Sequence, residues 1–97
     1  MIVKERETEE GLLVAVCDSD VLGETFEEGP VSLTVNEEFY GGESVDADGV
    51  LDALSRATVA NIVGTDAVEL AIEAGVVDKA HVLEVGSTLH AQLVRLY

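Results

Sequence analysis

The stretch from Gly11 to Cys17, GLLVAVC, is apolar at both parities, with Leu12, Val14 and Val16 on one side and Leu13, Ala15 and Cys17 on the other. Such a strand has no face to offer water, so it reads as the centre of a sheet and the rest of the chain must assemble around it. Ile2 to Glu7 is polar and edge-like, and Thr8 to Gly11 suits a hairpin connection between the two. Asp18 is a candidate N-cap for one helical turn in DSDVLG, stopped at Gly23, and ETFEEGP follows as a loop. VSLTVN then alternates cleanly, Val31, Leu33 and Val35 against Ser32, Thr34 and Asn36, as a half-buried antiparallel strand does.

The helical part begins at Asp46, a cap for a helix from about Ala47. Its apolar positions Val50, Leu51, Leu54, Ala57, Thr58 and Ile62 recur at helical spacing until Gly64. A second helix is expected at once, capped by Thr65 or Asp66, with Asp66 and Glu69 as a variant capping box and Gly75 as left-handed terminator under Val76. Asp78 to His81 reads as a short turn, and Val82 to Val85 with Thr88 to Tyr97 as a closing hairpin joined by GST. No internal repeat or linker interrupts the 97 residues, which predict a single domain over 1–97. The expected fold class is α+β: a mostly antiparallel sheet of about four to five strands packed against a two-helix hairpin.

Twenty acidic residues against five basic ones leave a net charge of -15, spread over every segment, while 47% of the chain is hydrophobic. That apolar fraction can offset the entropy of ordering, so the charge does not mark a disordered tail. At molar salt the Debye length falls to roughly 3 Å and acidic self-repulsion is screened, so the composition reads as that of a halophile. Only Ile2 and Val3 separate Met1 from the charged KERE and no apolar run approaches spanning length, which predicts a cytoplasmic protein. The single Cys17 can form no internal disulfide and is expected to be a buried structural thiol.

Motifs for chemistry are sparse. Ser87 and His90 have no acid placed to orient them, Cys17, His81 and His90 lack ligand spacing, and SVDADG fails as a calcium loop because Ser55 stands where a glutamate is required. No phosphate-cradling loop of either standard type occurs. No catalytic set, cofactor or metal site is therefore expected.

Two stretches point instead to binding. In NEEFYGGE, Phe39 is expected in the core and Tyr40 on the other side, partly exposed beside Gly41 and Gly42, whose bare backbone would let a base or peptide approach. The competing expectation is a tight glycine turn with Tyr40 packed on the first helix. In ANIVGTDAVELAIEAG, the arrangement around Asn61, Gly64 and Thr65 is a partial helix-hairpin-helix, whose free helix-start amides can meet a phosphate. It has one glycine where such hairpins have two, and Asp66 would repel the phosphate.

The stretches VAVCDSDVLGETFEEG, NEEFYGGE, ATVANIVG, AVELAIEAGVVD and HAQLV, which between them sample essentially the whole chain, resemble the archaeal family known as domain of unknown function number 424. The resemblance implies an archaeal cytosolic protein, and with the acidic composition a haloarchaeal one. It implies no active-site residues. The functional expectation is a non-enzymatic binding module contacting RNA or a ribonucleoprotein through Phe39, Tyr40, Gly41, Gly42, Asn61, Gly64 and Thr65. The alternative is a structural or regulatory protein-protein module, a homodimer paired through an edge strand among its forms. As a test of the halophilic reading, the melting temperature measured by circular dichroism should rise as potassium chloride is raised to molar levels; a flat or falling curve refutes it.

Overall fold

Strand β2 (Gly11–Cys17) takes the interior position that its two apolar faces demand. In the computed structural model, which describes residues 1–95, it lies between β1 (Ile2–Thr8), antiparallel to it, and β6 (Val59–Val63), parallel to it. The sheet is completed by β5 (Glu43–Ser44) outside β1, and by β8 (Thr88–Val94) and β7 (Leu83–Val85) beyond β6. Its six strands run in the order β5-β1-β2-β6-β8-β7, while β3 (Thr25–Glu28) and β4 (Val31–Thr34) form a separate two-stranded ribbon. The helices are a single turn α1 (Glu37–Tyr40), then α2 (Ala47–Arg56) and α3 (Thr65–Glu73), with 3-10 turns at Ser19–Val21 and Lys79–His81.

The class is α+β as expected, yet the sheet is mixed and six-stranded, and the two-helix hairpin does not exist. What reads as one helix from Ala47 to Gly64 ends at Arg56. Ala57 turns extended (φ -71°, ψ 139°) and the chain enters β6. Two readings overlap there: Ala57, Thr58 and Ile62 fit a helical stripe, but Val59 to Val63 is also a short, mostly apolar run of the kind an interior strand uses. The β-branched run wins because β2 and β8 offer ladders on both sides of it. Asp46 caps α2 as foreseen, its carboxylate accepting from the Gly49 amide at 2.9 Å. ETFEEGP is no loop, since Thr25 to Glu28 pairs with β4. The last strand ends at Val94; Arg95 already lies beyond it, and the remainder of the expected continuation to Tyr97 falls outside the described residues.

Register sorts the side chains into two layers. On one face Val3, Val14, Val16, Ala60, Ile62 and Ala91 pack against Val50, Ala53 and Leu54 of α2 and Ala67, Val68 and Ala71 of α3. Helices of 10 and 9 residues are marginal alone, so this packing rather than propensity holds them. On the other face Ala15, Cys17 and Val63 lie under Val21, Val35 and Tyr40, brought there by the 3-10 turn, the ribbon's exit and α1. Cys17 is fully buried, and burial with the nearby Asp18 charge pushes its thiol up to about 11, so it is the inert structural thiol expected. No helix among the described residues is long and apolar enough to cross a membrane.

Candidate functional site

The segment NEEFYGGE is consumed by the fold. Asn36 caps the turn of α1 by accepting from the Glu38 amide at 2.7 Å, and the helical twist sends Tyr40 inward and leaves Phe39 half-buried, the reverse of the expected arrangement. The two rings meet edge-on at 5.0 Å, and burial pushes the Tyr40 phenol up to about 12. Tyr40 is thus a core residue at 5% exposure, packed on the sheet face opposite α2. The glycines serve the chain's own contacts. A Cβ on Gly42 would lie 2.1 Å from the Val3 carbonyl oxygen, so its bareness is what lets the backbone close on β1. Gly41 donates its amide to the Glu37 carbonyl at 2.8 Å. Tyr40 therefore offers no open aromatic platform, while half-buried Phe39 lines a shallow pocket with Arg6, Asn36 and Glu38.

Asn61, Gly64 and Thr65 stand on a strand-to-helix junction, not a helical hairpin. Asn61, on β6, accepts from the Gln92 side chain at 2.8 Å across the sheet. Gly64 is the N-cap position of α3 and carries no side chain to cap with. Asp18 supplies the missing cap from 46 positions away in sequence to Gly64's own neighbours: the Asp66 amide donates to its carboxylate at 3.0 Å and the Ala67 amide at 2.9 Å. This replaces the capping box expected at Thr65 or Asp66, and it fills the helix-start amides that a phosphate would need. Gly64 cannot be another residue for two reasons. Its φ is +118°, and a Cβ there would sit 2.4 Å from the Asp18 carboxyl carbon. Asp18 itself is 8% exposed, and burial raises its pKa above the ordinary carboxylate value even though two amides pull the other way.

At this junction the parallel strands β2 and β6 end side by side, the position where open sheets with parallel strands form their crevices. A cleft of about 500 Å3 opens there. Asp18, Asp20, Glu24 and Asp66 give it four carboxylates, Phe26 from β3 an aromatic wall, and Thr88 from the start of β8 a hydroxyl. Thr88 is 3% exposed, and its Oγ1 has no hydrogen-bond partner among the described residues. A buried hydroxyl left unpaired costs about 1–3 kcal/mol, so this atom calls for a donor or acceptor from outside the fold. Ser87 also lines the cleft but its neighbour His90, half-buried on the sheet with its pKa lowered by burial, does not. Among the described residues no three His, Cys, Asp or Glu side chains converge to hold a metal ion, and Cys17, His81 and His90 make no such group. Sequence patterns did not single out Thr88 or the cleft. The available signal was Asp18, a carboxylate placed directly after a strand with two apolar faces.

The Asp18 cap predicts a clear mutational order. Asp18→Asn presents one carbonyl and one amino group to two donors and should lose about 1–3 kcal/mol of stability in urea unfolding. Gly64→Ala should lose more, because it adds backbone strain to the collision with Asp18. Equal stability of Asp18→Asn and wild type would mean that the cap contributes nothing.

Comparison with known proteins extends this picture. A search of curated proteins found no match. Among solved structures the chain is similar to an uncharacterized conserved protein from Methanopyrus kandleri, at 24% identity with a TM-score of 0.77, over 99% of this chain and 94% of that one. At that identity the likeness speaks for the fold. The family described as protein of unknown function DUF424 matches residues 5–96, and the chain belongs to that family.

Proposed function

We propose that the chain is a non-enzymatic binding module whose contact is with protein, and that the occupant is a second copy of itself. The observation that carries this is where acid is missing. Register places Leu13, Val59 and Val94 in one row across the sheet, then Ala15, Asn61 and Gln92, then Cys17, Val63, His90 and Leu83. All lie on the face opposite α2 and α3, and no strand of the main sheet turns an Asp or Glu to that face: Glu5 and Glu7 pair with Val14 and Leu12, and Glu84 with Leu89. The α1 layer covers the Cys17 end, while Val94 and Leu83 stay open at 59% and 49% exposure, bordered by the unpaired edge of β7. Lys4 and Arg6 share this face, paired with Ala15 and Leu13, so the strands give it no acid rather than no charge. In a chain with twenty carboxylates, a largely apolar face whose strands carry no acid is one place where two copies can meet without repulsion between carboxylates. We read the acidic remainder of the surface as that of a cytoplasmic protein in molar salt.

A contact with RNA or a ribonucleoprotein, the other reading, would need cations to neutralise phosphates. Lys4 and Arg6 both donate to the Glu38 carbonyl, Arg56 is forked onto Glu5 at 2.8 and 2.7 Å, and Arg95 donates to the carbonyls of Leu54 and Ala57. Lys79 alone makes no such bond among the described residues. Hydrogen bonds to neutral carbonyls leave Lys4, Arg6 and Arg95 charged, but five basic residues stand against twenty acidic ones, and Tyr40 with the Asp66 and Ala67 amides is taken up internally, so protein is the better occupant.

Sedimentation equilibrium in molar potassium chloride should give a mass near twice the 10.2 kDa of the chain. Leu83→Glu and Val94→Glu should each shift the protein toward monomer with an unchanged circular dichroism spectrum. Ser55→Glu, at an exposed position on α2 on the opposite side of the sheet, should leave the dimer intact. A wild type that is monomeric across the accessible concentration range overturns the proposal.

A further inference from the structure

The cleft at the ends of β2 and β6 belongs to neither surface of the proposed dimer, and two independent features of it call for a ligand. The first is charge: Asp18, Asp20, Glu24 and Asp66 line it, and no Lys or Arg does. A concave wall of one sign focuses its field into the opening and raises the local concentration of cations. The second is Thr88, nine-tenths buried and more, whose hydroxyl oxygen is unpartnered beside those acids. We propose that this cleft binds a small organic cation bearing a guanidinium or ammonium group, with Thr88 Oγ1 accepting one of its N–H bonds and the surrounding carboxylates holding its charge.

The arrangement selects this class over its rivals. A bare metal ion wants three or more carboxylates on one point, and those of the cleft do not converge in that way. An anion would meet four carboxylates, and the helix-start amides that might have held it are already donating to Asp18. A guanidinium or ammonium spreads several donors over a few ångströms, which suits acids placed around a rim, and Phe26 supplies an aromatic face for the cation. A cleft of about 500 Å3 is also of the size that small ligands occupy. The same chemistry could arrive as a free amine or as the basic side chain of another protein.

Amide spectra of isotope-labelled protein, recorded at constant ionic strength, test the assignment. The probes are agmatine, a free molecule with both cationic groups, and N-acetyl-arginine amide, which offers the guanidinium as a side chain on a peptide. N-acetyl-citrulline amide is the neutral control. Both cations should shift the amides of Asp66, Ala67 and Thr88, and the citrulline compound should not. The near-isosteric Thr88→Val should weaken binding about fivefold, the worth of one hydrogen bond. The double variant Asp20→Asn/Glu24→Gln, at two exposed positions, should weaken it without disturbing the fold. Tighter binding of agmatine would identify a free amine as the natural source, and tighter binding of the arginine amide a partner's side chain. Shifts no larger with the cations than with citrulline overturn the proposal, as does undiminished binding by either variant.

Discussion

One buried carboxylate joins the two halves of this fold. Asp18 ends β2, and its own amide donates to the carbonyl of Val63 at 3.1 Å at the end of β6. Its side chain then reaches past Gly64 to the first free amides of α3. The parallel pairing of β2 with β6 and the start of α3 are thereby fixed by a single residue, and the crevice between strand ends and helix inherits its shape from that tie. Desolvating a carboxylate is unfavourable, which is why its pKa is raised; the two charge-assisted hydrogen bonds and the loss of two unpaired helix-start donors offset this. The same carboxylate explains why Gly64 must be glycine, since a methyl group would occupy its place.

How much of this could be read in advance depended on whether a signal was local. GLLVAVC gave its own position as an interior strand, Asp46 its own cap, and Gly75 its own terminator, with φ of +73°. Segments whose state is decided by partners were misread. Val59 to Val63 satisfies helical spacing on paper, and only the ladders of β2 and β8 make it a strand. Phe39 and Tyr40 alternate in an extended chain, but in a single helical turn capped by Asn36 their directions exchange. Asp18 was legible as a cap and illegible as to which helix it would cap, because the helix it serves begins far along the sequence. The cleft lay in the same blind spot, assembled from the 3-10 turn after β2, the ribbon, the start of α3 and the turn before β8.

The charge distribution has a similar two-sided logic. Acid covers the helices, the ribbon and the margins, and crowds four carboxylates around one opening, while a whole face of the main sheet is free of it. The same face carries Lys4 and Arg6 in the rows of Ala15 and Leu13, so the sheet separates its acidic and basic strand positions between its two sides. Burial keeps His90 below its ordinary pKa and so neutral near pH 7, and the Gln92–Asn61 hydrogen bond lets two polar residues lie flat among the aliphatic ones.

The guanidinium of Arg95 lies at the other end of α2 from Asp46, accepting none and donating to the carbonyls of Leu54 at 2.6 Å and Ala57 at 2.7 Å. A positive charge at a helix C-terminus is favourable, and here it comes from the far side of β8. During synthesis, then, α2 emerges from the ribosome well before the residue that finishes it, and β6 emerges with one of its two neighbours still to be made. The nascent chain passes through a stage with an apolar strand edge open to its surroundings, and closing that edge and finishing the helix are one event, the arrival of β8.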